Sequence, residues 1–354
     1  MRWKREPRRR SGPVTAVTAV IGLLLFAGCS GPREIEPEVV AELDGQFAGG
    51  IELAGEAWIA VNQVAGDGSQ VSELRLLDGD GQATRSIDVS ELWIHPGVTA
   101  DGGLIWVREH HPRYDDEQAW ERKDNLLGID PQSGDVRYRY EIPRMRFNEP
   151  FTLVDGRYWQ HNPTTGGYLD VETGQSSFYT MPGAGGGPHS VHIDDGFLWL
   201  VRPISVNKID METGEHVEVY NYGDYHVPWL TNGWFKYFDD KYWILGSEFD
   251  DFENAYEYNL ETGEYFNPVP KEMLPSRTFE ADGSRWELYN DRWIPAPEDP
   301  TPEDRWRRVD IESGRTVGEY DFGEYLPEFV ADGYLWLSRR IDGDRSELAR
   351  LPLG

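Results

Sequence analysis

The chain is poor in cysteine, lysine and long apolar runs. Its 354 residues include one cysteine, Cys29, and five lysines remain after residue 28. A single thiol cannot form an internal disulfide, so side-chain packing must stabilise the fold. The longest apolar run, residues 14–28, has 15 residues, whereas a membrane-spanning helix needs roughly 20. The sequence contains no HExxH motif, Ser-His-Asp motif, phosphate-binding glycine loop or EF-hand loop, which excludes those compact sites.

Residues 1–28 have the pattern of a secretory signal, with six basic residues before the apolar run. The LFAGC stretch that ends at Cys29 resembles a bacterial lipoprotein signal, in which the cysteine is lipidated and becomes the new N-terminus. The resemblance implies an extracytoplasmic protein that a lipid on Cys29 anchors to a bacterial membrane. An ordinary cleaved signal with a chance cysteine is the alternative. Residues 29–37 then read as the lipidated cysteine and a short polar tether.

The remaining chain is strongly acidic. Beyond residue 28 it has 28 basic and 62 acidic residues, a formal net charge of −34. This charge repels phosphate groups, so we expect no nucleic-acid partner and no basic patch that assists the membrane anchor. A solubilising surface explains the charge more simply than an acidic binding site.

Seven tryptophans recur, each a few positions after a DG pair or its equivalent. They are spaced by 48, 53, 40, 44, 43 and 50 residues: Trp58, Trp106, Trp159, Trp199, Trp243, Trp286 and Trp336. Repeats of 40 to 50 residues with turn signals are typical of β-propellers. Each copy also has a second turn signal, in GIDPQSGDV, YLDVETGQS, KIDMETGEH, YNLETGEYF and RVDIESGRT.

Two turns in each repeat predict four short antiparallel strands, A to D. Aspartate or asparagine before a turn accepts backbone hydrogen bonds, and glycine adopts the positive φ that the turn requires. The last copy has no strand D, and Glu38–Leu43 is a strand-like stretch with no repeat before it. We therefore predict an all-β, seven-bladed β-propeller of four-stranded antiparallel blades, formed by residues 38–354 as one domain. Six or eight blades are the alternatives, because the first copy of the repeat is weak. Glu38–Leu43 should pair beside Ser346–Leu351 and close the last blade.

This strand order gives the predicted propeller two different ends. The A–B and C–D turns, all short, lie at one end, which we call the turn end. The B–C and D–A connections lie at the other, the loop end, and contain the long insertions Glu109–Asn125, Ser247–Ala255 and Pro295–Asp304. Long loops on a rigid scaffold often carry binding residues, although they also tolerate insertions without a function. The loop end is therefore the predicted functional face.

Histidines and carboxylates near the start of strand A are the first group of candidate ligand-binding residues. They are His95, Glu149, His189, His226 and Glu328, whereas His110, His111 and His161 fall in predicted B–C loops. Such a mixed set at the mouth of a central channel could bind a divalent metal or polarise a ligand. No compact metal spacing is present, and histidines are common in loops without a ligand. No cofactor is predicted, and a divalent metal remains possible.

The fifth repeat is rich in aromatic residues and carboxylates. Tyr225 and Trp229 fall in a connection rather than a strand, so they are the candidates for contacting a sugar or a cationic ligand. Packing between blades explains the other aromatic residues equally well.

The stretches GPHSVHIDDGFLWL and NKIDMETG resemble the repeats of streptogramin-lyase-like and related quinoprotein-like extracytoplasmic propellers. The resemblance covers most of the chain beyond the signal and implies the fold. Quinoproteins follow the TG turn with a tryptophan that DVETGQSSF and DMETGEHVE lack, which argues against quinone-dependent dehydrogenation. Propellers support many unrelated functions, so the fold leaves the function open.

Three functions fit these observations. The leading hypothesis is a monomeric, non-enzymatic binding or scaffold module for an envelope protein or glycan. A metal-assisted lyase or hydrolase similar to streptogramin lyase is the alternative, and a small-molecule receptor that uses the aromatic residues of the fifth repeat is the third.

Overall fold

A computed structural model describes most of the chain beyond residue 32. The described residues are 33–34, 36–90, 92–110, 123–143, 152–161, 165–180, 190–194, 196–201, 205–221, 234–238, 241–245, 254–259, 265–270, 273–275, 277–289, 305–342 and 345–353. They form 29 β-strands. None of these described residues belongs to a helix long and apolar enough to cross a bilayer.

The first three sheets each consist of four consecutive antiparallel strands. Sheet 1 comprises β3 (Gln46–Leu53), β4 (Glu56–Val64), β5 (Gln70–Leu77) and β6 (Ala83–Ser90). Sheet 2 comprises β7 (Trp93–Asp101), β8 (Leu104–His110), β9 (Lys123–Ile129) and β10 (Val136–Pro143). Sheet 3 comprises β11 (Thr152–Val154), β12 (Arg157–His161), β13 (Thr165–Asp170) and β14 (Ser176–Thr180).

Sheets 4 and 5 repeat this arrangement. Sheet 4 comprises β15 (Ser190–Asp194), β16 (Phe197–Val201), β17 (Ser205–Asp210) and β18 (His216–Asn221). Sheet 5 comprises β19 (Trp234–Phe238), β20 (Lys241–Leu245), β21 (Asn254–Tyr258) and β22 (Tyr265–Pro270).

The last two sheets recruit strands from the start of the described chain. Sheet 6 comprises β23 (Arg277–Ala281), β24 (Ser284–Tyr289), β25 (Arg305–Asp310) and β26 (Thr316–Asp321), with β1 (Arg33–Glu34) as a fifth, parallel strand on the edge of β26. Sheet 7 comprises β27 (Leu326–Ala331), β28 (Tyr334–Arg340) and β29 (Ser346–Pro352), followed by β2 (Glu38–Leu43).

This architecture is a β-propeller built from four-stranded antiparallel blades, as the repeats predicted. Plain four-stranded blades number six rather than the predicted seven, because β1 makes sheet 6 five-stranded. β1 also lies within the segment predicted as a tether. Two residues without a hydrophobic pattern give no signal in the sequence, since their pairing uses backbone groups alone.

The seven repeated tryptophans all lie in the second strand of their sheets, and six of them are buried. Trp58, Trp159 and Trp286 have no exposed surface, whereas Trp199 is partly exposed. Trp58 packs in a core shared by sheets 1 and 2, and Trp336 in one shared by sheets 1 and 7. One amphipathic sheet cannot cover both of its faces, so burial of these rings requires a neighbouring sheet.

Sheets 7 and 1 are in direct contact through their first strands. A side chain on Gly50 would overlap the Phe329 ring, whose Cε1 atom would lie 2.1 Å from the added Cβ. The Phe329 ring stacks on the Trp336 ring with centroids 5.9 Å apart. Glycine at position 50 therefore allows the two strands to approach this closely.

The predicted pairing of the N-terminal strand with the C-terminal segment is confirmed. β2 is antiparallel to β29, with Glu38 opposite Arg350 and Leu43 opposite Ser346. Side chains reinforce the junction, since Arg350 Nε donates to Glu38 Oε2 at 2.9 Å. Ser346 Oγ also accepts a hydrogen bond from the Phe47 backbone N–H at 3.1 Å, which links the junction to sheet 1.

Four C–D turns share one hydrogen-bonded design at the turn end. The backbone N–H of Thr173 donates to Asp170 Oδ1 at 2.7 Å, and the N–H of Gly174 donates to the Asp170 carbonyl at 2.9 Å. The equivalent aspartates are Asp130, Asp210 and Asp310. In sheet 3 the N–H of Val171 also donates to the Gly156 carbonyl of the A–B turn at 2.8 Å. The two kinds of turn therefore lie together, as predicted.

These turns give the fold a dependence on acidic pH. The backbone N–H groups of Thr173 and Thr213 hold the pKa of Asp170 and Asp210 below the usual range. A depressed pKa stabilises the folded state above the ordinary value of about 3.9, and this stabilisation is lost as the pH falls through the folded-state pKa. The double variant Asp170→Asn and Asp210→Asn keeps an acceptor oxygen but cannot titrate.

We expect this double variant to have a lower thermal midpoint than the parent at pH 7, with the gap closing as the pH falls below the ordinary carboxyl pKa and through the lowered pKa of the folded state. Asp88→Asn, at an exposed strand position, is the control for lost surface charge. Circular dichroism melts at each pH measure the effect. Parallel curves for parent and double variant would show that the turns do not supply this dependence.

Candidate functional site

Two buried histidines meet at the loop end of sheet 2. The His95 and His110 rings are in edge contact, with centroids 5.4 Å apart. Only 2% of His95 and 3% of His110 are exposed. His95 lies inside the first strand of its sheet and His110 is the last residue of the second, so neither belongs to a connection as the sequence predicted. The strands run farther into the loop end than the turn signals indicated.

Two further ionisable side chains occupy the same end of sheet 2. Arg108 has no exposed surface, and Asp124 is 2% exposed. Alternate residues of a strand share a face, so Arg108 lies on the Trp106 side of the sheet and Asp124 on the side of Leu126. Trp106 and Leu126 belong to a core shared with sheet 3. We call His95, Arg108, His110 and Asp124 the sheet 2 cluster.

Burial of four ionisable groups requires compensating contacts, because an isolated buried charge is strongly disfavoured. Each member of the sheet 2 cluster makes at least one hydrogen bond, ion pair, ring contact or electrostatic interaction. Gln160 of sheet 3 is a further fully buried polar group, and its Nε2 donates to the Pro143 carbonyl at 2.6 Å. Concentrations of buried ionisable groups are more common at functional sites than in ordinary cores.

A polar network from sheet 1 fixes the chain immediately before His95. Asn62 Nδ2 donates to the Ile94 carbonyl at 2.8 Å, and Asn62 Oδ1 accepts from the Ile94 N–H at 2.9 Å. Ser72 Oγ lies 2.6 Å from Asn62 Oδ1 and 2.7 Å from the Leu92 carbonyl. Asn62 thus pairs with Ile94 as a neighbouring strand would, which positions the backbone that carries His95.

Glu109 lies near the end of β8, on the opposite face of the sheet from Arg108 and His110. It is 3% exposed and accepts from Asn125 Nδ2 and Arg139 Nη1, each at 2.7 Å, as well as from the Ser90 hydroxyl. These bonds tie three strands of sheet 2 to the last residue of β6 in sheet 1. A satisfied buried carboxylate of this kind holds its surroundings rigid.

Most other residues predicted for the site lie outside the described residues. These are Glu149, His189, Tyr225, His226 and Trp229, together with His111 and the lipidation candidate Cys29. Glu328 is a half-buried residue of β27, and its Oε1 accepts from the Ser338 hydroxyl at 2.8 Å. His161 is the last residue of β12, and its side chain is not among those described. Their ligand-binding role stays a prediction.

Sequence reasoning missed Arg108, Glu109 and Asp124 as site residues. The signal was present in LIWVREH, where two charged residues interrupt an otherwise apolar strand. We expected an insertion from Glu109 to Asn125, so Glu109 and Asp124 were assigned to a loop, whereas Arg108 was given no role in the site. The same overestimate applies to Ser247–Ala255, because Asn254 and Ala255 belong to β21.

The chemistry available at this end is polar binding. Within the described ranges, no group of three or more histidine, cysteine or carboxylate side chains is arranged to hold a metal ion. His95 and His110 offer imidazole nitrogens, and Arg108 offers a guanidinium suited to carboxylate or phosphate groups.

A separate cavity lies at the turn end between sheets 1 and 7. Its volume is about 300 Å³, and its lining includes Glu56, Leu77, Asp78, Asp332 and Trp336. None of the predicted site residues contributes to it.

Comparisons with known proteins support the fold class. No family model matches the chain, and no curated protein does. The AfRom2 CNH domain is 10% identical, with 88% of this chain and 98% of that chain covered and a TM-score of 0.50. The computationally designed Ika8 protein (9% identity, 89% and 100% covered, TM-score 0.46) and BamB from Moraxella catarrhalis (13%, 89% and 91%, 0.42) are also similar. At 10% identity the likeness to the AfRom2 CNH domain concerns the fold alone.

Proposed function

We propose that this protein is a lipid-anchored, extracytoplasmic binding or scaffold module that contacts an envelope protein or glycan through its loop end. A β-propeller is consistent with such a role because it presents many connections from one rigid support. The lipid on Cys29 would hold the module at a bacterial membrane, and residues 1–28 would be removed as its signal.

We also propose that the seven sheets form a closed ring of seven blades. Its support is that contacts join consecutive sheets beyond the 7–1 junction. Trp199 and Tyr242 join sheets 4 and 5, with ring centroids 6.1 Å apart. Arg285 lies 4.9 Å from the Phe238 ring centroid, between sheets 5 and 6. Shared cores join sheets 6 and 7, 1 and 2, 2 and 3, and 3 and 4.

The observation that carries the functional proposal is the contrast between the two ends. The turn end repeats one short, internally hydrogen-bonded turn. The loop end of sheet 2 instead concentrates buried ionisable groups, and Asn62 and Glu109 fix the backbone around them. A stable propeller does not need such groups, so their presence favours a site where polar partners are recognised.

Site-specific photocrosslinking tests which end binds a partner. We would place a photoreactive amino acid at the exposed loop-end positions Asp67 and Glu324, and at the exposed turn-end positions Glu172 and Glu212 as matched controls. Irradiation of intact cells should give a discrete protein or glycan adduct from a loop-end position and none from the turn end. Adducts from the turn end alone, or none from any position, would contradict the proposal.

The contact between His95 and His110 favours metal-assisted hydrolysis or elimination as the second candidate function. Two imidazoles need at least one more ligand, and Glu149 and His189 are the sequence candidates. Elemental analysis of the purified soluble form, cut after Cys29, separates the candidates. Stoichiometric metal that His95→Ala removes would favour the enzyme, and none after metal reconstitution would favour the binding module.

A further inference from the structure

The start of the described chain is attached to the outer edge of one sheet. β1 pairs in parallel with β26, with Arg33 opposite Tyr320 and Glu34 opposite Asp321. β26 is the outermost strand of sheet 6 apart from this addition. Any anchor that precedes Arg33 in sequence therefore connects to the propeller at this edge.

The connection between the anchor and this edge is short. Only residues 30–32 separate Cys29 from Arg33, and a fully extended chain gains at most about 3.6 Å per residue, so four steps span about 14 Å. Three spacings of about 4.8 Å separate the outer strands of a four-stranded blade, so one blade alone is about as wide as this span. The tether is too short to let the propeller turn freely above a bilayer.

Apolar side chains are exposed on this edge, in the turn next to it and on the outermost strand of sheet 7. Val317 of β26 is 57% exposed, Ile311 in the adjoining turn is 46% exposed, and Val39 of β2 in sheet 7 is 53% exposed. β1 leaves the edge of β26 uncovered from Thr316 to Glu319. Three of the six residues of β25 are arginines, which offset the carboxylates of this sheet in a chain of net charge −34 beyond residue 28.

From these observations we propose that the outer edges of sheets 6 and 7 form a membrane-contact surface. The side of the propeller, rather than either of its ends, would then face the bilayer. The occupant of the surface is the lipid headgroup region next to the anchor. Apolar side chains at an interface add to the binding of a lipid anchor, whereas a chain of this net negative charge gains little from anionic headgroups. This inference rests on the proposed lipidation of Cys29. It leaves both ends of the propeller open, so that the loop end can meet a partner.

Exposed apolar residues alone do not distinguish the outer edges of sheets 6 and 7 from those of other sheets. Val136 on β10 is 38% exposed and lies on the outermost strand of sheet 2. In a closed ring of seven, sheet 2 stands across the axis from sheet 6. The attachment of β1 distinguishes the two edges, which makes Val136 the matched control for Val317.

Fluorescence quenching in vesicles tests the orientation. Cys29 is the only cysteine, so once it is lipidated, Val317→Cys or Val136→Cys supplies the only free thiol for an environment-sensitive dye. The full lipidated chain is bound to phosphatidylcholine and phosphatidylglycerol vesicles that contain a spin-labelled lipid. We expect the dye at position 317 to shift to shorter wavelength and lose most of its emission. The dye at position 136 should change little.

Flotation of the same vesicles separates the two hypotheses. Protein that floats while both dyes behave alike, or while only position 136 is quenched, would overturn the membrane contact of sheets 6 and 7 and leave the anchor intact. Protein that does not float and carries no lipid on Cys29 by mass spectrometry would overturn both. The Cys29→Ala form of each labelled variant should stay soluble and show no quenching, which defines the baseline.

Discussion

Replacing Trp58 by alanine is expected to lower the free energy of unfolding by about 3 to 5 kcal/mol, the usual cost of deleting a buried aromatic ring. Trp58 has no exposed surface and packs between sheets 1 and 2. Its removal leaves a cavity lined by apolar side chains of both sheets, which rigid strands cannot fill. Urea unfolding followed by far-UV circular dichroism measures the loss.

Trp199→Ala is the matched control, because Trp199 occupies the same position in its repeat but is partly exposed. We expect a smaller loss for this variant, since less apolar surface leaves water on folding there. If both variants lost the same free energy of unfolding, burial between sheets would not explain how much each tryptophan stabilises the fold.

Deletion of residues 30–43 is expected to lower the free energy of unfolding by at least as much as Trp58→Ala. It removes β2 from the edge of β29, so that Ser346–Pro352 keeps its pairing with β28 but has an open outer edge. Leu43 is 3% exposed in the core shared by sheets 1 and 7, and loss of a buried leucine side chain alone costs about 2 to 5 kcal/mol. Open strand edges also promote aggregation. The deleted protein should therefore melt at a lower temperature and precipitate on heating.

The control deletes residues 30–35 only. This deletion removes β1, which pairs through two residues, but keeps β2. We expect its melting temperature to lie close to that of the parent. A control as unstable as the larger deletion would show that β1, and not β2, stabilises the junction.

Local turn chemistry explains why so much of the fold could be predicted. Each DG or TG signal specifies a reversal through an aspartate oxygen and a glycine, as the bonds to Asp170 and Gly174 illustrate. The seven regularly spaced tryptophans showed that the four-stranded unit repeats. Burial of these large rings requires neighbouring sheets to pack on one another. The bounds of β2 were predicted correctly because a strand-like stretch without a repeat had to pair with a repeat that lacked one strand.

The site was less predictable, for a different physical reason. The loop end depends on contacts between residues distant in sequence, such as Asn62 with Ile94 and Glu109 with Arg139. No local pattern encodes such pairs. Glu109 was assigned to a long insertion that begins at its own position, whereas it belongs to β8 and its contacts make its burial possible. β1 escaped prediction because backbone pairing of two residues leaves no trace in side-chain pattern.

Hydrogen exchange at residues 38–43 tests the central claim most directly, namely that β2 and the C-terminal strand β29 share one sheet. In the purified soluble form cut after Cys29, the amides of Glu38–Leu43 that bond to β29 should exchange as slowly as those of β29 itself, because both open only when sheet 7 unfolds. Exchange of Glu38–Leu43 within seconds, beside a protected β29, would contradict the shared sheet and, with it, the proposed closure of the ring.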